Sequence, residues 1–150
     1  MFNPRILMAV FFSLFTATAM AESSLEPIGY VKNVDGEAFV ITNDHAALAQ
    51  PSTPIYAGSL LKTSTDGSMG VIFKDETIMS FGPDTQLRVD DYLYKPDTGK
   101  LKLAGSLARG SLNYLSGVIA RLRPEAVTIK TPTGTIGVRG THFVAKVDPI

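Results

Sequence analysis

The stretch Lys130–Val147, KTPTGTIGVRGTHFVAKV, decides how the chain is read. Gly134, Gly137 and Gly140 fall within seven residues, Arg139 sits among them, and an alternating run, HFVAKV, follows at once. Three readings compete: a phosphate loop, a catalytic turn, or a backbone bend between strands. A phosphate loop needs glycines whose N–H groups approach the anion, then a helix whose N-terminus faces it. Here the G-x-x-x-x-G-K-[ST] order is missing and a strand pattern follows. The bend is the favoured reading. Gly137 and Gly140 admit conformations that other residues resist, so that the last strands turn and pack closely. Pro132 forces Thr131 extended. Arg139 points opposite to Val138 in an alternating strand. Its five donors suit turn carbonyls or a buried acid, and the alternative is a partner's carboxylate. The buried pairing is preferred, and it predicts that Arg139→Ala destabilises the fold.

Working outward, turn signals recur every eight to twelve residues with short β-rich runs between them, the pattern of an all-β domain. Such runs are IGYVKNV (28–34), EAFVIT (37–42), GSLLKT (58–63), SMGVIFKD (68–75), TIMSFG (77–82), TQLRVDDYLY (85–94), LKLAGSLARGSLNYL (101–115) and VTIKT (127–131). Asp35-Gly36, Asp66-Gly67, Pro83-Asp84 and 95–100 read as turns, and Asn43–Pro54 as a polar loop. One segment departs. In SGVIARLRP (116–124), Val118, Ile119 and Leu122 have helical spacing and Pro124 is a stop, so one short helix is expected near 116–123. Gly58, Gly70, Gly105 and Gly110 each stand two residues before an aliphatic. Glycines at strand corners suit a β-solenoid or roll, or a jelly-roll-like sandwich.

The first 21 residues read as a secretory signal peptide. Arg5 is the positive n-region, Ile6–Phe15 the apolar h-region, and Ala19-Met20-Ala21 a small-x-small cleavage site. Ten residues are too short for a bilayer span of about 20. Cleavage after Ala21 leaves one domain, 22–150, with no transmembrane segment, placed in the periplasm or secreted. The chain has no cysteine, so this domain rests on its core alone. The net charge is zero but unevenly distributed. Residues 22–91 hold 11 acids and 4 bases, and residues 92–150 hold 3 acids and 9 bases. That asymmetry suggests a charged partner or head-to-tail self-association.

The chemistry-bearing residues are few. His45 and His142 are each remote from any relay, and no serine lies in a G-x-S-x-G elbow. The acid pairs Asp75-Glu76 and Asp90-Asp91 alternate faces on strands, or are solvated at turns, and neither makes a ready chelate. No enzyme activity, metal or cofactor is expected. Export removes nucleic acid as a partner. Tyr92 and Tyr94 lie two apart on one strand face, an arrangement that can stack on sugar rings. Together with the basic Arg121 and Arg123, they form the candidate partner surface, beside the 43–54 loop.

From about Gly36 to Val147 the chain resembles the FecR domain. The resemblance is carried by GSLLKTSTDGS, IFKDETIMSFGPDTQLRV, GSLNYLSGVI and above all IKTPTGTIGVRGTHFV. Its family-motif residues here are Thr131, Pro132, Gly137, Arg139, Gly140 and Thr141. The resemblance implies an all-β periplasmic or extracellular domain with no known catalysis. The family's founding member is a transmembrane regulator that relays the signal of an iron-siderophore receptor to a sigma factor. This chain is expected to differ. Its signal peptide begins at Met1, leaving no cytoplasmic segment for a sigma factor, and Ile150 leaves no room for a further module. The expectation is a stand-alone exported interaction and signalling domain whose partner is another envelope protein. The alternatives are a peptidoglycan-binding module and a self-assembling structural protein.

Overall fold

The computed structural model describes residues 25–149. The segment read as a signal peptide, residues 1–21, lies outside the described residues. In chain order the elements are β1 (Gly29–Asp35), β2 (Ala38–Thr42), β3 (His45–Leu48), β4 (Pro54–Ile55), β5 (Leu60–Thr63), β6 (Ser68–Phe73), β7 (Ile78–Phe81), β8 (Gln86–Lys95), β9 (Lys100–Leu115), α1 (Val118–Leu122), β10 (Val127–Thr131), β11 (Gly134–Gly137) and β12 (His142–Val147). The domain is all-β with one short helix, as its turn spacing predicts. No helix among the described residues is long and apolar enough to cross a membrane.

The twelve strands form one curled sheet, a half-barrel whose strand order is β3-β2-β5-β8-β9-β7-β6-β1-β4. β9 is the longest strand, at 16 residues, and belongs to both halves of the curl. Its first part is flanked by β8 and, in parallel, β10; its second part is flanked by β7 and β12. The change falls at Gly110, whose φ is +92. A Cβ there would lie 2.2 Å from Thr85 Oγ1 and 2.4 Å from Thr85 Cα, so only glycine allows this strand to bend so close to Thr85. The chain crosses between the halves repeatedly. Asp35-Gly36, which looks like a hairpin turn, is one such corner: β1 pairs with β6 and β4, and β2 with β5 and β3.

Alternation sets the core. Val31, Val71, Met79 and Tyr114 are register partners across β1, β6, β7 and β9, and all are buried. Leu61, Leu87, Leu103 and Leu107 line the other half and are also buried. Each contributes roughly 2 kcal/mol by leaving water. Phe73 stacks on Tyr92 at 5.5 Å between ring centroids, joining β6 to β8 across the core.

Several expectations need correction. The 43–54 segment is not all loop. Asn43 and Asp44 take φ of 49 and 63, the left-handed pair of a tight hairpin turn, and His45–Leu48 returns as β3 along β2. Of the four Gly-x-aliphatic glycines, Gly58 and Gly110 have positive φ, whereas Gly70 and Gly105 lie inside β6 and β9. The charge asymmetry is partly paired within the domain. The basic carboxy-terminal half lies beside the acidic half, and Lys102–Asp91, Arg109–Asp84 and Arg121–Glu76 pair between them.

Candidate interaction surfaces

The family-motif residues converge on one corner. β10 and β11 form a hairpin closed by Pro132-Thr133, with the Thr131 hydroxyl donating to the Gly134 carbonyl at 3.1 Å. From β11 the chain passes through Val138–Thr141 to β12. Val138 is buried, and the Gly140 and Thr141 carbonyls accept from the Ser116 hydroxyl (2.8 Å) and the Ser116 N–H (2.8 Å). Gly140 turns the chain at φ +117. The expected close packing at Gly137 is not found: φ there is ordinary, and an added Cβ meets nothing within 4 Å.

Arg139 does point opposite to Val138, but the buried pairing is corrected. The residue is exposed, and among the described arginines it alone makes no hydrogen bond or ion pair. Arg139→Ala is therefore expected to leave the fold intact. Arg139 lines an open groove of about 670 Å³, walled by Pro124, Glu125, Val127 and Thr128 and by residues 137–140.

The Tyr92/Tyr94 face is corrected too. The two rings share a face, as their spacing predicts, but it is the inner one. Tyr92 is buried and Tyr94 is half-buried against the core. Neither is a free platform for a sugar ring. Burial, then the charge of Asp75, pushes the Tyr92 phenol well above its ordinary range. Arg121 and Arg123 are exposed, yet each is engaged. Arg121 donates to the Gly117 carbonyl at 3.2 Å and pairs with Glu76 at 3.4 Å. Arg123 donates to the Gly99 carbonyl at 3.1 Å and lies 3.9 Å from Glu125.

Asp75 is the main reversal. Its expected place is a strand or a solvated turn; instead it is fully buried. Its Oδ1 accepts from the Tyr92 hydroxyl (2.9 Å) and the Thr77 N–H (3.3 Å), and its Oδ2 from the Thr77 hydroxyl (2.7 Å) and the Ile119 N–H (3.1 Å). The Asp75 N–H in turn donates to Tyr92 Oη at 3.0 Å, and the Asp75 carbonyl accepts from the Val118 N–H at 2.7 Å. The carboxylate is fully satisfied and fastens α1 to the β6–β7 turn. It has no spare lone pair directed at solvent, which makes it a structural clasp. Glu76, its exposed neighbour, takes φ +70 at that turn.

A surface that sequence reading misses lies on the outside of the half formed by β1, β6, β7, β9 and β12. Tyr30, Ile72, Ile78, Leu115 and His142 are successive register partners, one outward row across five strands. Tyr30 is 43% exposed, Leu115 44%, and Val144, one step along β12, 65%. Asn33, Ser80 and Asn113 form a polar row beside it, and Asn113 Oδ1 lies 2.6 Å from His142 Nε2. A hollow of about 460 Å³ opens between Ile78, Ser80, Asn113, Leu115 and His142. The row escapes notice because Tyr30-Val31, Ile78-Met79 and Tyr114-Leu115 are each two consecutive apolar residues, so alternation is hidden until the ladder is known.

A family model described as FecR protein matches residues 59–149, well over half of the chain. The chain belongs to the FecR family. Membership points to a signalling-related regulatory domain. The match takes in β5 through β12 and hence the whole 131–141 corner, while β1 to β4 of the same sheet lie before it. No curated protein and no solved structure matches the chain.

Proposed function

We propose that this FecR-family chain is an exported, non-catalytic interaction domain of the bacterial cell envelope, acting in signalling by docking another envelope protein. The observation that carries the reading is the outward apolar row Tyr30–Ile72–Ile78–Leu115 with Val144 beside it. An apolar strip bordered by Asn and Ser, with no charged side chain inside it, has the apolar centre and polar rim of a protein interface. The tyrosine pair that suggested a glycan site, Tyr92 and Tyr94, faces the core, and the row carries a single ring, Tyr30, among aliphatic side chains. Export rests on the Arg5, Ile6–Phe15 and Ala19–Ala21 pattern, and puts the domain in the periplasm or outside the cell.

In-cell cross-linking tests the reading. A photoreactive side chain replaces Ser80 or Asn113, both exposed beside the row. One reproducible protein adduct from the exported chain, lost in a Leu115→Lys background, is expected. A folded, exported chain that gives no adduct at either position would refute the docking reading. So would an adduct indifferent to Leu115→Lys.

A further inference from the structure

The groove beside Arg139 has four features that the fold does not require. Its volume, about 670 Å³, is within the few hundred to a thousand Å³ typical of ligand sites. Arg139 brings a guanidinium that no group among the described residues neutralises. Gly137 lines the groove with ordinary φ and open space where its Cβ would be, so nothing among the described residues calls for glycine there. Among the described residues β11 pairs only with β10, and its other edge, Gly134-Thr135-Ile136-Gly137, which meets the groove at Gly137, carries no proline or charge of the kind that protects edges.

We propose that the free edge of β11 receives an extended peptide segment of a partner protein as an added strand, and that a carboxylate of this segment reaches Arg139 in the groove at the end of β11, where Gly137 is the one β11 residue lining it. The free edge supplies backbone donors and acceptors, the usual basis of strand addition. Gly137 lets the incoming backbone approach closely, a recognised use of glycine in a strand. Arg139, two residues beyond, offers a forked donor set that matches a carboxylate. Glu125, the one acid on the opposite wall, is 3.9 Å from Arg123, which leaves the guanidinium of Arg139 to an incoming acid. The proposal does not depend on the outer apolar row, which lies on other strands, so either surface can fail while the other stands.

The test is selection from a displayed library of random dodecapeptides against the purified exported protein, followed by fluorescence anisotropy on the enriched peptides. Peptides with a recurring Asp or Glu are expected. Arg139→Glu should weaken binding at least about tenfold, since a hydrogen bond to a charged group is worth that much, and Gly137→Val should weaken it by crowding the incoming backbone. Both variants should melt with the wild type. Replacing the peptide's acid with Lys should restore binding to Arg139→Glu. Binding unaffected by both substitutions would overturn the proposal. So would enriched peptides without an acid, or Arg139-dependent retention on purified cell wall with no acidic peptide selected, which would assign the groove to an anionic glycan.

Discussion

Replacing Asp75 with asparagine keeps the size of the side chain and removes its charge and one acceptor. Each carboxylate oxygen faces one backbone N–H, of Thr77 or of Ile119, and one hydroxyl. Either orientation of the amide therefore turns its NH2 group onto a backbone N–H. The hydroxyls can rotate to accept, but the backbone cannot. A buried donor left unpaired costs about 1–3 kcal/mol. The surviving bonds lose ionic assistance, about 1 kcal/mol in all. Burying an amide is easier than burying a carboxylate, which returns roughly 1 kcal/mol. The net loss is about 2 kcal/mol. For a domain of this size that lowers Tm by roughly 6–10 °C. Circular dichroism melting measures it, and hydrogen exchange at Ile119 and Ala120 should speed up as α1 loosens. A variant melting within about 1 °C of wild type, with α1 still protected, would refute the assignment of Asp75 as the clasp of the helix.

Three further outcomes follow from named groups. Burial, then Asp75, raises the Tyr92 phenol above its ordinary value of 10.0, and burial raises Tyr114 as well. The folded state thus keeps both neutral where the unfolded chain ionises, so stability is complete below about pH 10 and declines above it. Urea unfolding at rising pH should show that decline, shallower in Tyr92→Phe; equal slopes would contradict it. Tyr114 Oη is buried with no hydrogen-bond partner among the described residues. Tyr114→Phe keeps the stack on Phe143 and removes the unpaired hydroxyl, and should raise stability by up to about 1 kcal/mol in the same assay; a clear loss would count against that. Gly110→Ala forces a Cβ into Thr85 at positive φ and should cost on the order of 3 kcal/mol or more, read from the urea midpoint.

Local chemistry carried much of the fold into the sequence. Turn residues and β-rich runs mark most strands, and Pro124 with the Val118–Leu122 spacing marks α1. The side of Arg139 and the shared face of Tyr92 and Tyr94 are likewise properties of alternation. What alternation omits is which face is covered, and that depends on partners remote in sequence. Asp75 looks like a turn acid until Ile119, 44 residues later, is placed above it. Asp35-Gly36 resembles a hairpin because the dipeptide fixes a turn, not the strand that will pair. β3 is hidden because His-Ala-Ala-Leu has little β-propensity; the left-handed Asn43-Asp44 turn and pairing with β2 impose the strand. The outer row requires the registers of five strands, none of which is local.

Because β9 supplies ladder partners to β7, β8, β10 and β12, neither half of the curl is a separable folding unit. A chain ending before Lys100 would leave β7 and β8 without their shared neighbour and the apolar side chains beneath them exposed. Closure must wait for loops spanning much of the domain, so folding is expected to be slow and all-or-none. A cut or a bound partner that strains β9 would act on both halves at once. A ligand at the Arg139 corner and a protein on the outer row would then be linked thermodynamically through a single strand, each stabilising the state the other binds.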